Sequence, residues 1–195
     1  MNPAALSKCK SRLRIAERAL TDLEAATEPD DFGDAWTVFL QAWKGVYTLL
    51  EQGAKESAQS RQWFGRKKAQ RKADHLLNYL FHARNDEEHG LCDGVTPTAG
   101  EFLFKIKGGE PLDVHFKKDP VTGEIQFDRT ELGEATLVTS SGIGFSLVAV
   151  EERDKRLVHP PIAHNDEVLS DMTPLGVGRV GLRAIKAIVA EAEKL

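Results

Sequence analysis

The chain has 195 residues, enough for one domain or for one domain with a sizeable insertion, and long enough to bury a real core. With 41% hydrophobic and 29% charged residues, wholesale disorder is excluded. A net charge of −4 excludes a protein that coats nucleic acid non-specifically, so any such contact must be a local patch.

Two cysteines, Cys9 and Cys92, form neither a CxxC pair nor a zinc spacing and read as free thiols in a reducing compartment. The opening MNPAALSKCK has no apolar signal core, and no run approaches the roughly 20 apolar residues of a membrane span. A cytoplasmic protein with no membrane partner is expected.

Pro3 suits a helix start, and Leu6, Cys9, Leu13, Ala16, Leu20 and Leu23 follow at helical spacing. The turn cluster EPDDFGD separates this helix from a second, where Phe32, Trp36, Phe39, Trp43, Val46 and Leu50 form a core stripe and Gly53 a stop. A third helical segment spans 57–89, long enough that a break near Gly65 is expected. Its first part, RQWFGRKKAQRK, is basic; its second, ADHLLNYLFHARNDEEH, is amphipathic.

After Gly90 the period changes to two. EFLFKIK, PLDVHF, GEIQFD, EATLVTS and IGFSLVAV read as short antiparallel strands, with DPVTG a turn, followed by the extended VHPPIAH. Helix then returns: Thr173 caps, Pro174 fits the first turn, and Leu182, Ile185, Val189 and Ala192 form an apolar face. The expected fold class is α+β, a four-helix bundle with an antiparallel β-sheet inserted between its third and fourth helices. The bundle would take 1–95 plus 170–195, and the insertion, packed on it, 98–168.

GVGRVG, Gly176 to Gly181, matches a dinucleotide-binding pattern but lacks the preceding strand and the room for a second one, so close helix packing is the better reading. His159, His164 and Asp166 lack a further ligand at metal spacing. No metal and no cofactor are expected.

On an ideal helix Arg71, His75, Asn78, His82, Asn85 and His89 share one polar stripe, opposite Leu76, Leu77, Leu80 and Phe81. Histidine and asparagine are poor helix formers, so their concentration on one face calls for a reason such as an interface or a reaction site. Arg84-Asn85-Asp86-Glu87-Glu88-His89 resembles the R-polar-x3-H signature of HEPN domains, specifically over His75 to His89 and only architecturally over the helices.

The resemblance implies a small, commonly dimeric helical bundle. It also implies a metal-independent endoribonuclease of a toxin–antitoxin or phage-defence system, with an RNA substrate, an antitoxin protein as partner, and a site built across a homodimer. In that reading His89 carries the proton, Arg84 stabilises the phosphate and Asn85 orients one of them, with His82, Asp86 and Asn78 in support. Arg66, Lys67, Lys68, Arg71 and Lys72 would track RNA phosphates, or else form a solvated face. Arg84 points off the His89 stripe on a straight helix, so the site needs an unwound helix end or a second subunit. The alternatives are a non-catalytic dimerisation or interaction module and a small-ligand binder.

Overall fold

The structure, a computed structural model, describes the backbone of residues 1–89, 95–98, 102–105, 116–118, 125–127, 136–140, 144–151 and 155–195. Side chains are described for 1–84, 95, 145–151 and 155–195. Among these residues the chain is α+β, with α-helices flanking short strands. It divides into two compact units, Met1–Thr98 with Phe145–Leu195, and Ala99–Gly144.

In the first unit, α1 (Pro3–Ala25) opens with Pro3 in its first turn and the Asn2 side chain accepting from Ala5 N at 3.1 Å. The second helix, α2 (Pro29–Gly53), starts inside the EPDDFGD cluster. Pro29 occupies its first turn and Asp30 and Asp31 face the positive end of the helix dipole. A 3₁₀ turn at Ala54–Glu56 leads to α3 (Ala58–Ala73), capped by Ser57 through Ser60 N at 3.1 Å. The segment expected to break near Gly65 breaks instead at Asp74, where α4 (His75–His89) begins. Gly65 lies within α3 facing open space, where glycine costs little enough for the helix to continue. The last helix, α5 (Pro174–Ala192), is capped by Thr173, whose Oγ1 accepts from Gly176 N at 3.1 Å.

The core gathers on α2. Trp36, Phe39, Leu40, Trp43, Val46 and Leu50 are buried against Leu20 and Leu23 of α1, Leu76 and Leu80 of α4, and Ile185 of α5. The GVGRVG glycines bring α5 close: a Cβ at Gly178 would stand 2.7 Å from Leu20 Cδ2, and one at Gly181 would strike Leu80. The approach also lets Trp43 Nε1 donate to Gly181 O at 2.9 Å, so the indole is satisfied inside the core. At the rim, Lys186–Glu17 (2.5 Å), Arg179–Glu24 (2.7 Å) and Lys10–Glu193 (2.6 Å) tie α5 to α1, each an exposed pair of small individual value.

Among the described residues the strands are short and pair in twos. The first unit holds β1 (Val95–Thr98) beside β6 (Gly144–Leu147, its first residue assigned to the second unit), and antiparallel β7 (Val150–Glu151) and β8 (Leu157–Val158). It also holds the hairpin β9 (Ala163–His164) and β10 (Glu167–Val168). Phe145 stacks on Phe32 of α2 at 3.7 Å, and Tyr79 of α4 donates to Val148 O at 2.8 Å.

The second unit holds antiparallel β2 (Phe102–Lys105) with β5 (Thr136–Ser140), irregular between Leu103 and Phe104, and β3 (Phe116–Lys118) with β4 (Ile125–Phe127). Of the PLDVHF run Phe116 is described, at the start of β3; 106–115 lie outside the described residues, as does Cys92. No helix among the described residues is long and apolar enough to cross a membrane.

Two glycine substitutions should therefore act in opposite directions. Gly181→Val forces a side chain into packed Leu80, Trp43 and Leu76 and should cost about 1–3 kcal/mol in urea denaturation. Gly65→Ala, exposed and inside α3, should gain roughly 0.5–1 kcal/mol. Equal effects at the two positions would contradict the close approach of α5.

Candidate functional site

The residues of the RNDEEH motif end α4. Its backbone is helical through His89, and Arg84 is half-buried beside buried Ala83. The side chains of Asn85, Asp86 and His89 lie outside the described residues.

Upstream, the polar stripe turns inward. His82 is buried with its ring edge-on to Phe81, centroids 5.5 Å apart, and Asn78 is half-buried. Arg71 is only 5% exposed, and its guanidinium lies 3.6 Å from the centroid of the Phe81 ring, which Lys44 also approaches at 4.8 Å. Both contacts place a cation on an aromatic face.

The basic cluster does not form one strip. Ser60, Trp63, Phe64 and Arg71 are the buried positions of α3, and Lys67 falls at helical spacing among them. Its side chain, 15% exposed, pairs with Glu191 of α5 at 2.6 Å. Lys68 pairs with Glu51 of α2 at 3.2 Å, while Arg66 and Lys72 are exposed. Long cationic stems cover apolar surface well, so a basic residue on an inner face near a helix end is physically reasonable.

A second constellation, of which the sequence singled out only His164 and Asp166, is built around Asp74. Its backbone closes one helix and opens the next: Asp74 N donates to Gln70 O and Asn78 N to Asp74 O, each at 3.0 Å. Its carboxylate is 9% exposed. Oδ1 accepts from Leu77 N at 2.8 Å, capping α4. Oδ2 accepts from Asn165 N at 2.8 Å and meets His164 Nδ1 at 3.0 Å.

Burial alone would raise this carboxyl. The Asn165 and Leu77 amides and the His164 ring outweigh it and hold the group below its ordinary 3.8. The hairpin that brings His164 and Asn165 turns through Asn165 and Asp166, both left-handed with φ 50° and 65°, as a two-residue hairpin turn of type I′ requires. The other ring nitrogen, Nε2, lies 3.0 Å from Asn165 Nδ2.

These groups line a cleft of about 430 Å³ between the α3–α4 junction, the hairpin and α5. Lys67, Gln70, His75, Asp166 and Glu191 share its wall. Glu191 is held below the usual carboxylate value mainly by Lys67, and Trp63 Nε1 donates to the same Oε2 at 3.4 Å. Among the described residues no three His, Cys, Asp or Glu side chains are grouped to hold a metal ion. The local signals for this site are an aspartate directly before HLLNYL and an Asn-Asp pair between two short strands. Nothing local joins positions 74 and 164.

Asp74→Ala removes a helix cap and two further hydrogen bonds, and should cost about 2 kcal/mol or more. Because the folded carboxyl is depressed, its stabilisation is complete above the ordinary carboxylate value and is lost as pH falls through the lower folded value. Denaturation from neutral pH down to the acid limb should show a flatter curve for Asp74→Asn, which keeps the cap but not the charge. An unchanged acid limb would remove Asp74 as its source. No protein-family model, curated protein or solved structure matches this chain.

Proposed function

We propose that the chain is a HEPN-like helical protein that acts as a homodimeric, metal-independent endoribonuclease in a toxin–antitoxin or phage-defence setting. The observation that supports this reading is the continuity of α4. It is anchored in the core through Leu76, Tyr79, Leu80 and Ala83 and stays helical through His89, so the motif ends a firmly held bundle helix.

In the reaction, the ribose 2′-oxygen attacks the adjacent phosphorus and the bond from phosphorus to the 5′-oxygen breaks. Arg84 stabilises the charge on the non-bridging oxygens, His89 delivers a proton to the departing 5′-oxygen, and Asn85 orients the phosphate or the imidazole. The end of α4 suits a protonated histidine, since the helix dipole is negative there. Positions 84 and 89 of a regular helix stand about 140° apart around its axis, so the reading joins Arg84 of one subunit to His89 of the other. Exposed Arg66 and Lys72 are the cations of α3 best placed in solvent to meet phosphate.

A second reading, a non-catalytic dimerisation or interaction module, is favoured by a different observation. Arg71 and His82 are buried within their own chain, and Lys67 and Lys68 are paired there, which leaves less positive surface for RNA than the sequence offers.

Incubation with RNA in the presence of a chelator tests both. His89→Ala and Arg84→Ala should each lower cleavage by roughly 10²–10³-fold while sedimentation still reports a dimer. Mixed dimers of the two variants should regain up to about half the activity, because one composite site is then intact. Intact dimers that leave a broad panel of RNAs uncut would favour the module.

A further inference from the structure

The outer face of α1 carries a charge that the fold does not use. Cys9, Ala16, Leu20 and Leu23 face the core. Lys10, Glu17 and Glu24 run along the edge toward α5, and each is paired there. Ala5 and Arg12 mark the edge toward α2, against Gly53 and Gly45. Between these edges Ser7, Lys8, Ser11, Arg14, Ile15 and Arg18 turn outward, all exposed except half-buried Ile15.

Lys8, Arg12, Arg14 and Arg18 are exposed, and none makes an ion pair among the described residues. The acids of α1 do not offset them. Glu17 and Glu24 are held by Lys186 and Arg179, and Asp22 lies beyond Arg18, at the far end of the face. Across the α2 edge Gln41, Gly45 and Thr48 share helical spacing and are uncharged. Lys8 with Arg12, and Arg14 with Arg18, are like charges four residues apart, a spacing that costs a helix stability. In a chain of net charge −4, a positive face about 15 Å long calls for counter-charge from outside the fold.

That counter-charge must be spread along a chain, as the cations are. A second copy of this face has the same sign and is repelled. A bilayer asks for apolar side chains that insert, whereas here half-buried Ile15 sits among polar neighbours. Ser7 and Ser11 suit phosphate oxygens, since their hydroxyls can donate and their small size lets a backbone lie close.

We propose that the outer face of α1 binds the phosphate backbone of single-stranded RNA through Lys8, Arg12, Arg14 and Arg18, without reading base sequence. This binding does not depend on cleavage or on His89.

Fluorescence anisotropy of the full chain with a labelled 2′-O-methyl oligoribonucleotide tests it. That strand has no free 2′-hydroxyl to attack its phosphate, so binding is read apart from cutting. Affinity should fall with salt, with a log–log slope of about −2 to −3 for three or four phosphates. Arg14→Gln with Arg18→Gln, both exposed, should keep the fold, weaken binding about tenfold near 50 mM salt and flatten the slope by about 1.4. Arg183→Gln with Lys194→Gln removes the same charge from exposed positions outside α1 and should change affinity less than about twofold. Absence of salt-dependent binding, equal losses from the two double variants, or binding of phosphatidylserine vesicles in place of the oligonucleotide would each overturn it.

Discussion

The arrangement depends on how closely α5 can approach the other helices. Trp43 stands at the centre of the core and its indole N–H must find an acceptor there. The acceptor is a backbone carbonyl of α5, at Gly181, reached only because that residue and Gly178 have no side chain. The first compact unit is therefore discontinuous in sequence, with the 99–144 segment between its halves. Loop-closure entropy grows slowly with length, so an intervening segment of that size is thermodynamically tolerable. The cost falls on folding rate, since α5 cannot rest on its glycines until the chain has returned.

The parts of the fold legible in the sequence are those specified locally. Pro3, Thr173 and Pro174 mark helix starts, and the aromatic stripe from Phe32 to Leu50 is buried as its period implies. The glycine run, too, is understood once the missing strand rules out its dinucleotide mechanism. The misplaced break in the third segment has a physical cause. Gly65 is a weak local signal that an open helix face absorbs, whereas Asp74 can hold an extended backbone because Asn165 and His164, far along the chain, satisfy its carboxylate. A residue stabilised by such a distant partner carries no local mark.

The same reasoning applies to the charged residues. A lysine or arginine read by type belongs in water, but Lys67 and Arg71 stand in register with Trp63 and Phe64, so the face that buries the aromatics also draws in the cations. The buried positions of α3 follow the aromatic residues, not the charges, and the basic run reads differently once that face is known. The motif residues 85, 86 and 89 were legible as sequence, and their side chains lie outside the described residues. The Asp74 cleft was illegible because it is made by tertiary contact between a helix junction and a hairpin.

The two candidate sites lie at the two ends of one helix. With 15 residues at about 1.5 Å each, α4 separates them by roughly 20 Å. Its positive end is met by the buried carboxylate of Asp74, which accepts from Leu77 N. Its negative end carries Arg84 and His89, which the dipole favours, but also Asp86, Glu87 and Glu88, which it does not. Three acids in a final turn are unfavourable unless positive charge from another element meets them. In the proposed homodimer, an arginine of a second copy of the same motif would supply it.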